Sequence, residues 1–328
     1  SFIKNIGKTP TLSYLMMKIA EQSACGKSIL LGEHAAVYGQ PAIAVPMEDI
    51  RAFAWIEENN DKEGIRVEAI DLDEEIIIGD ENKHQFAIVI NDLIKKNKTE
   101  KLNFTVKLTS EIPQSVGMGS SAATSAAVCR CVAEYLGITL SPEEESEIVF
   151  RAEEVVHGTP SGIDNNVIVY EKPILFVKGE APKILHSKKD LYIVIGQSGV
   201  ESSTMEMVKN IKKLVKENPN EFKIKFDKIG KLVKESEKNI ENGRVDKIGV
   251  LMNENQEILR EMQLSHPELE AIIEIAKKAG ALGAKLTGKG GGGNVVAISD
   301  KVETQKLIAN SIEGAGYRIC KTKVGATL

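Results

Sequence analysis

Residues 18–56 alternate apolar and polar positions, with β-branched runs in KSILL and PAIAV. That period of two predicts strands separated by the loop GEHAAVYGQ. Residues 64–79 continue as a hairpin, and HQFAIVINDLIKKNK reads as a helix. KLNFTVKLTS puts Leu102, Phe104, Val106 and Leu108 on one face and runs straight into EIPQSVGMGSSAA. A helix is expected over 120–136, ending at Gly137. The next begins with a capping box: Ser141 as N-cap, Pro142 in the first turn and Glu144 placed to reach back. It should stop near Gly158. GTPSGIDNN then reads as a loop, and VIVY, ILFVK and LYIVIG as strands. Residues 203–280 are lysine-rich and helically periodic, their alternating charges marking solvated faces. The tail reads strand, glycine loop, strand, helix, strand.

The change of character near 190–200 divides the 328 residues in two. A mixed α+β domain is expected over 18–195, and helices with a small sheet over 196–328. Residues 1–17 read as an extension or tag remnant. They form a poor signal peptide, lacking a continuous apolar core and a small-residue cleavage site. No run of about 18 apolar residues predicts a membrane span. A net charge of −5 argues against a nucleic-acid partner, although an anionic substrate needs only a few well-placed cations. The four cysteines form no CxxC pair, which fits reduced thiols in the cytoplasm.

Three glycine-rich stretches fall where loops are expected. GKSILLGEHAAVYG holds Lys27, Glu33 and His34; the others are PQSVGMGSSAA and LTGKGGGGNVV. In the second, glycines let the backbone approach a phosphate, and the following helix offers free N–H groups and a positive dipole end. Ser120 and Ser121 can cap that helix, with one hydroxyl free to face a metal. The ordinary alternative is a small-residue helix packed on a sheet, which accounts for AATSAAVCRC but not for GMG. No Walker A spacing occurs, and the dinucleotide fingerprint meets Ala122 where its third glycine belongs, a position where alanine is sometimes accepted, so a dinucleotide site stays as a weak rival. A dinucleotide oxidoreductase also needs an acidic residue about 20 positions on, and Glu143 to Glu145 sit in a capped helix start instead.

RAEEVVHGTPSGID adds Glu153 and Asp164. One carboxylate could hold Mg²⁺, and the other, in the loop, could orient or deprotonate a substrate hydroxyl. Each could equally be a surface charge or a turn residue. Lys27 could steady a transferring phosphate. His34 beside Glu33 suits a polar recognition pocket, SGVESST offers caps or ligand contacts, and His84, His186 and His266 read as structural.

With these residues assembled, the chain resembles the GHMP family of small-molecule kinases over nearly all of residues 18–328. The phrases that carry the resemblance are GEHAAVYG, GMGSSAA, EVVHGTPSGIDN and GAKLTGKGGGG. It implies a two-domain α+β fold. The N-terminal domain would be ribosomal-protein-S5-like with a left-handed βαβ crossover, and the C-terminal domain ferredoxin-like. It implies ATP, Mg²⁺ and phosphorylation of the 5-hydroxyl of mevalonate. Within the family, phosphomevalonate, a sugar, or an ATP-dependent decarboxylation stand as alternatives. Asp164 would be the catalytic carboxylate paired with Lys27, and Glu153 and Ser121 the Mg²⁺ ligands. Pro113, Val116, Gly117, Met118, Gly119, Ser120, Ser121 and Ala122 would surround ATP. Glu33, His34, His157, Thr204 and Gly290 would line the acceptor pocket. A cytoplasmic homodimer with no nucleic-acid or membrane partner completes the expectation. A non-catalytic relative should have lost the lysine or the carboxylate, and both are present. Three positions depart from the family pattern: Cys25 for proline, Ser115 for glycine and Lys289 for alanine.

Overall fold

The computed structural model describes residues 19–58, 63–79, 81–97, 102–113, 117–200 and 204–326. Two antiparallel strands open it, β1 (Ala20–Leu31) and β2 (Ala42–Glu58), joined through a 3-10 turn at Ala35–Tyr38. One end of β2 pairs with β6 (Ile174–Phe176) and the other with β5 (Phe104–Ser110), while β1 pairs along its length. The expected hairpin is β3 (Ile65–Ala69) and β4 (Glu74–Ile78), and β3 also lies parallel to β5. With β7 (Lys183–Ile184), the sheet runs β4-β3-β5-β2-β6-β7, with β1 on β2.

Four helices belong to this half: α1 (Gln85–Asn97), α2 (Ser120–Leu136), α3 (Pro142–His157) and α4 (Ile163–Tyr170). α2 packs against β1 and β2 through Ala122, Ala123, Ala126 and Ala127, whose small side chains admit close approach. α2 ends at Gly137 in left-handed geometry. The α3 capping box forms as expected. Ser141 Oγ accepts from Glu144 N–H at 3.2 Å, and Ser141 N–H donates to Glu144 Oε2 at 2.9 Å.

Residues 163–170 correct the expectation of a loop and a strand, because IDNNVIVY is helix α4. Ile163, Asn165, Val167, Ile168 and Val169 are all buried, so burial surrounds most of the helix and erases its periodicity. A short β-branched run of that kind looks like a strand until packing against α2, α3 and β1 decides.

The second sheet has the order β11-β8-β10-β9 and is antiparallel throughout, formed by β8 (Leu191–Gln197), β9 (Gly283–Thr287), β10 (Asn294–Ser299) and β11 (Arg318–Val324). Between β8 and β9 run α5 (Thr204–Glu217), α6 (Pro219–Glu241), α7 (Val245–Glu261) and α8 (Pro267–Lys278), and α9 (Val302–Gly314) precedes β11. Strand order and connectivity are those of the split βαβ, or ferredoxin-like, arrangement. β8 is an inner strand of this sheet, so the expected boundary at 195/196 cuts through it. A division ahead of Leu191 keeps both sheets whole.

The halves meet along β1 and the turn after it. The Thr287 hydroxyl donates to the Ile29 carbonyl at 2.9 Å and accepts from the Ile29 N–H at 3.2 Å, standing in for a strand pairing. Tyr38 stacks on Phe226 of α6 with centroids 4.4 Å apart, and Gln40 donates to Asp227 at 2.9 Å. All four cysteines are free thiols. Among the described residues no helix is long and apolar enough to cross a membrane.

Candidate active site

A cleft of about 1300 Å³ opens between the halves, lined by Lys27, Glu33, His34, Ser121, His157 and Asp164 among others. α2 points its N-terminus into it. The N-cap is Gly119, at φ 75°, with no side-chain capping bond. The expected serine caps are therefore absent: Ser120 and Ser121 already lie inside the first turn. A cap without a side chain leaves the first-turn N–H groups for a ligand, at the positive end of the helix. Met118 and Ala122 are buried on either side of this turn, Gly117 is exposed and Pro113 half-buried. Val116 and Ser115 lie outside the described residues.

Gly119 is held by its neighbours. A Cβ there would stand 2.9 Å from both Lys27 Cγ and Ile168 Cδ1, in a backbone conformation that side chains disfavour. The adjacent carbonyl of Met118 accepts from Lys27 N–H at 3.0 Å, so the loop, β1 and α4 are packed as a unit. Gly119→Ala is expected to cost about 1–3 kcal/mol and to weaken nucleotide binding. Denaturant unfolding and equilibrium nucleotide titration check this, and wild-type values in both would show slack in the loop.

Lys27 is 4% exposed and its ammonium lies 2.9 Å from Asp164 Oδ1. The Asp164 side chain keeps 30% exposure toward the cleft. It is in the first turn of α4 behind a Gly162 cap, not in a loop, and a helix N-terminus favours its negative charge. Glu153 occupies the last turn of α3 and is 2% exposed. Its Oε2 lies 3.5 Å from His157 Nε2, which is also 3.2 Å from Ser121 Oγ. Its Oε1 is buried without a partner. Burial pushes the Glu153 carboxyl above its ordinary range against a hydrogen bond from Ser121, and the nearby Asp164 charge adds to the push.

An orphaned carboxylate oxygen beside a serine hydroxyl is a pair of hard oxygen donors. No cluster of three or more His, Cys, Asp or Glu side chains able to hold a metal occurs among the described residues. Mg²⁺ suits such a sparse set, because it keeps several waters and takes its remaining ligands from phosphates. His157, expected in the acceptor pocket, stands beside Ser121 and Glu153.

Also in the cleft wall, Glu33 forms an ion pair with Lys285 of β9, and both side chains are fully buried. The Lys285 ammonium also donates to the Leu286 carbonyl at 2.5 Å, while Glu33 Oε2 has no partner. Burial drives Glu33 upward and Lys285 downward, each toward its neutral form, against their mutual attraction. His34 sits at φ 60°, and its Nε2 is 2.9 Å from the Lys289 carbonyl. A carbonyl can only accept, so Nε2 carries the proton. Burial lowers the His34 pKa and keeps the ring neutral, leaving Nδ1 as an acceptor.

Gly290 is a packing position: a Cβ there would fall 2.4 Å from the Leu264 carbonyl oxygen. Gly291 N–H donates to that same carbonyl at 2.8 Å, and Gly293 N–H to the Val200 carbonyl at 3.0 Å, so the glycine loop braces residue 200 against residue 264. Thr204 begins α5, and its side chain lies outside the described residues. His84 Nδ1 accepts from Phe86 N–H while its side chain also lines the cleft, and His266 Nδ1 accepts from Glu268 N–H at the start of α8. Sequence reasoning missed Lys285. The available signal was a lysine inside GAKLT, an otherwise apolar strand between glycine and the glycine loop.

Two family models match the chain, GHMP kinases N terminal domain over residues 85–172 and GHMP kinases C terminal over residues 236–318. The first spans α2, Glu153 and Asp164. A mevalonate kinase of Thermococcus onnurineus is 33% identical over 321 residues, covering 91% of this chain and 95% of that protein. One from Pyrococcus furiosus is 34% identical over 316 residues, covering 90% and 92%. Among solved structures, L. major mevalonate kinase in complex with R-mevalonate superposes with a TM-score of 0.81 at 26% identity, covering 95% of this chain and 99% of the other.

Proposed function

Because this chain belongs to the GHMP kinase family, and within it to the mevalonate kinases, we infer that it transfers the γ-phosphoryl group of ATP to the 5-hydroxyl of (R)-mevalonate. The products are 5-phosphomevalonate and ADP, in isoprenoid biosynthesis. The observation that carries the site assignment is the Lys27–Asp164 pair at 2.9 Å, in one cleft with a helix N-terminus capped by glycine.

On this reading Asp164 orients the acceptor hydroxyl and receives its proton as the oxygen bonds to phosphorus and the bond to ADP breaks. Lys27 holds the carboxylate in place and offsets negative charge on the reacting oxygens. The first-turn N–H groups of α2 and the backbone at Gly117 to Ser121 bind phosphate. Glu153 and Ser121 would hold Mg²⁺, which when bound neutralises phosphate charge. Glu33 and His34 shape the acceptor end, where His34 Nδ1 can accept from a substrate hydroxyl. A cytoplasmic setting, in keeping with four free thiols, and a homodimer belong to the same reading.

The test is ADP release measured with mevalonate, phosphomevalonate and galactose as acceptors. Turnover with mevalonate is expected. Turnover confined to another acceptor would reassign the chain within the family.

A further inference from the structure

Lys27, Ser121, Glu153 and Asp164 stand on β1, α2, α3 and α4 respectively. Something must fix these four elements relative to one another. A displacement of 1 Å at a reacting group is costly.

Arg130, on α2, reaches the other three. Its Nε–H donates to Glu145 Oε1 of α3 at 2.6 Å. One terminal nitrogen donates to the Ser23 carbonyl of β1 at 2.8 Å and to Glu171 Oε1 at 2.6 Å. The other donates to the Ile168 and Val169 carbonyls of α4, at 3.4 and 3.0 Å. A guanidinium has five N–H donors in a rigid plane, and here all five are used. Glu171 is the C-cap of α4, in left-handed backbone geometry, and Arg51 of β2 donates to the same Oε1 at 2.8 Å. Arg51 also donates to Ser23 Oγ at 2.9 Å.

We propose that Arg130 is a positioning residue for phosphoryl transfer, a clasp that sets the register of all four site-bearing elements. The proposal rests on the kinase reading above. Arg130 does not touch the reacting atoms. It lies nine residues along α2 from Ser121, about 13 Å at the helical rise, and acts through the helices. Its bonds to the last α4 carbonyls also hold the end of that helix opposite Asp164. Lysine cannot replace it, because one ammonium has three donors and no fork.

The experiment compares wild type with Arg130→Met, Arg130→Lys and Glu145→Gln, each confirmed folded by a cooperative unfolding transition and assayed well below its midpoint. Arg130→Met is expected to lower kcat by about 100-fold with KM for ATP and mevalonate nearly unchanged, the mark of lost alignment. Arg130→Lys should fall between Arg130→Met and wild type. Glu145→Gln loosens α3 from α2, so it should raise the Mg²⁺ concentration needed for half-maximal rate more than it lowers kcat at saturating Mg²⁺. If Arg130→Met does not fold, the other two variants carry the test. Folded Arg130→Lys and Glu145→Gln proteins with wild-type kcat and Mg²⁺ dependence would overturn the clasp alone. A wild-type protein without turnover on mevalonate would overturn the kinase reading, and the clasp with it.

Discussion

Asp164→Asn should lower kcat by about 10³-fold while leaving ATP binding nearly intact. Asparagine keeps the size and the α4 position but cannot take the hydroxyl proton, and it withdraws the charge that holds the Lys27 ammonium. On the proposed reading the nucleotide meets a different surface, the N-terminus of α2, which this change does not touch. Stability should fall only modestly, by about 1–3 kcal/mol for a lysine left unpaired. Lys27 is nearly buried, yet Asp164 at 30% side-chain exposure leaves room for water to replace the lost partner. Single-turnover rates and calorimetric nucleotide titration separate the two effects. A rate close to wild type would remove Asp164 from the chemistry and turn attention to Lys27 as the principal group.

The second large effect concerns stability. Lys285→Met leaves the Glu33 carboxylate buried without its cation, and loss of one partner from a fully buried pair costs about 3–5 kcal/mol. The directions of the two pKa shifts sharpen this. Glu33 is raised and Lys285 lowered, so desolvation outweighs attraction for each. The pair is therefore a poor source of net stability, although each member depends on the other. Lys285→Met combined with Glu33→Gln should then recover most of the loss, giving a double-mutant coupling comparable to the single-mutant cost. Chemical denaturation of the two single variants and the double variant reads this directly. Equal, additive losses would show that the pair is not coupled. The single variant should also become less unstable as the pH falls, because its unpartnered Glu33 carboxyl, already raised, can then take up a proton.

Local chemistry made much of this molecule readable in advance. The capping box at Ser141, the stops at Gly137 and Gly158, and the strand, glycine loop, strand, helix, strand order of the tail are each decided by a few neighbouring residues. The elements that escaped are those decided at a distance. IDNNVIVY becomes a helix because α2, α3 and β1 surround it, and its own β-branched residues argue for a strand. LYIVIG reads as a strand, but which sheet takes it depends on partners about a hundred residues downstream. In the site, Lys27, Glu153 and Asp164 stood out as residue types beside glycine loops. Lys285 and Arg130 did not, because a lysine in an apolar strand and an arginine in an alanine-rich helix have no local sign of what they meet. The serines after Gly119 showed the opposite failing: their capping propensity is real, but a glycine ahead of them took the position.

The seam between β1 and β9 bears on how such a chain can be recombined. Ile29 with Thr287, Glu33 with Lys285 and His34 with Lys289 are three bonded pairs, each joining residues more than 250 positions apart. A hybrid that takes its first 190 residues from one relative and the rest from another keeps every local signal intact. It still severs the Glu33–Lys285 pair unless both parents share it, while the other two bonds, made to backbone atoms, need only Thr287 from one parent and His34 from the other. The halves therefore look like interchangeable modules in the linear chain, yet Glu33 and Lys285, buried together across the seam, must be inherited as a pair.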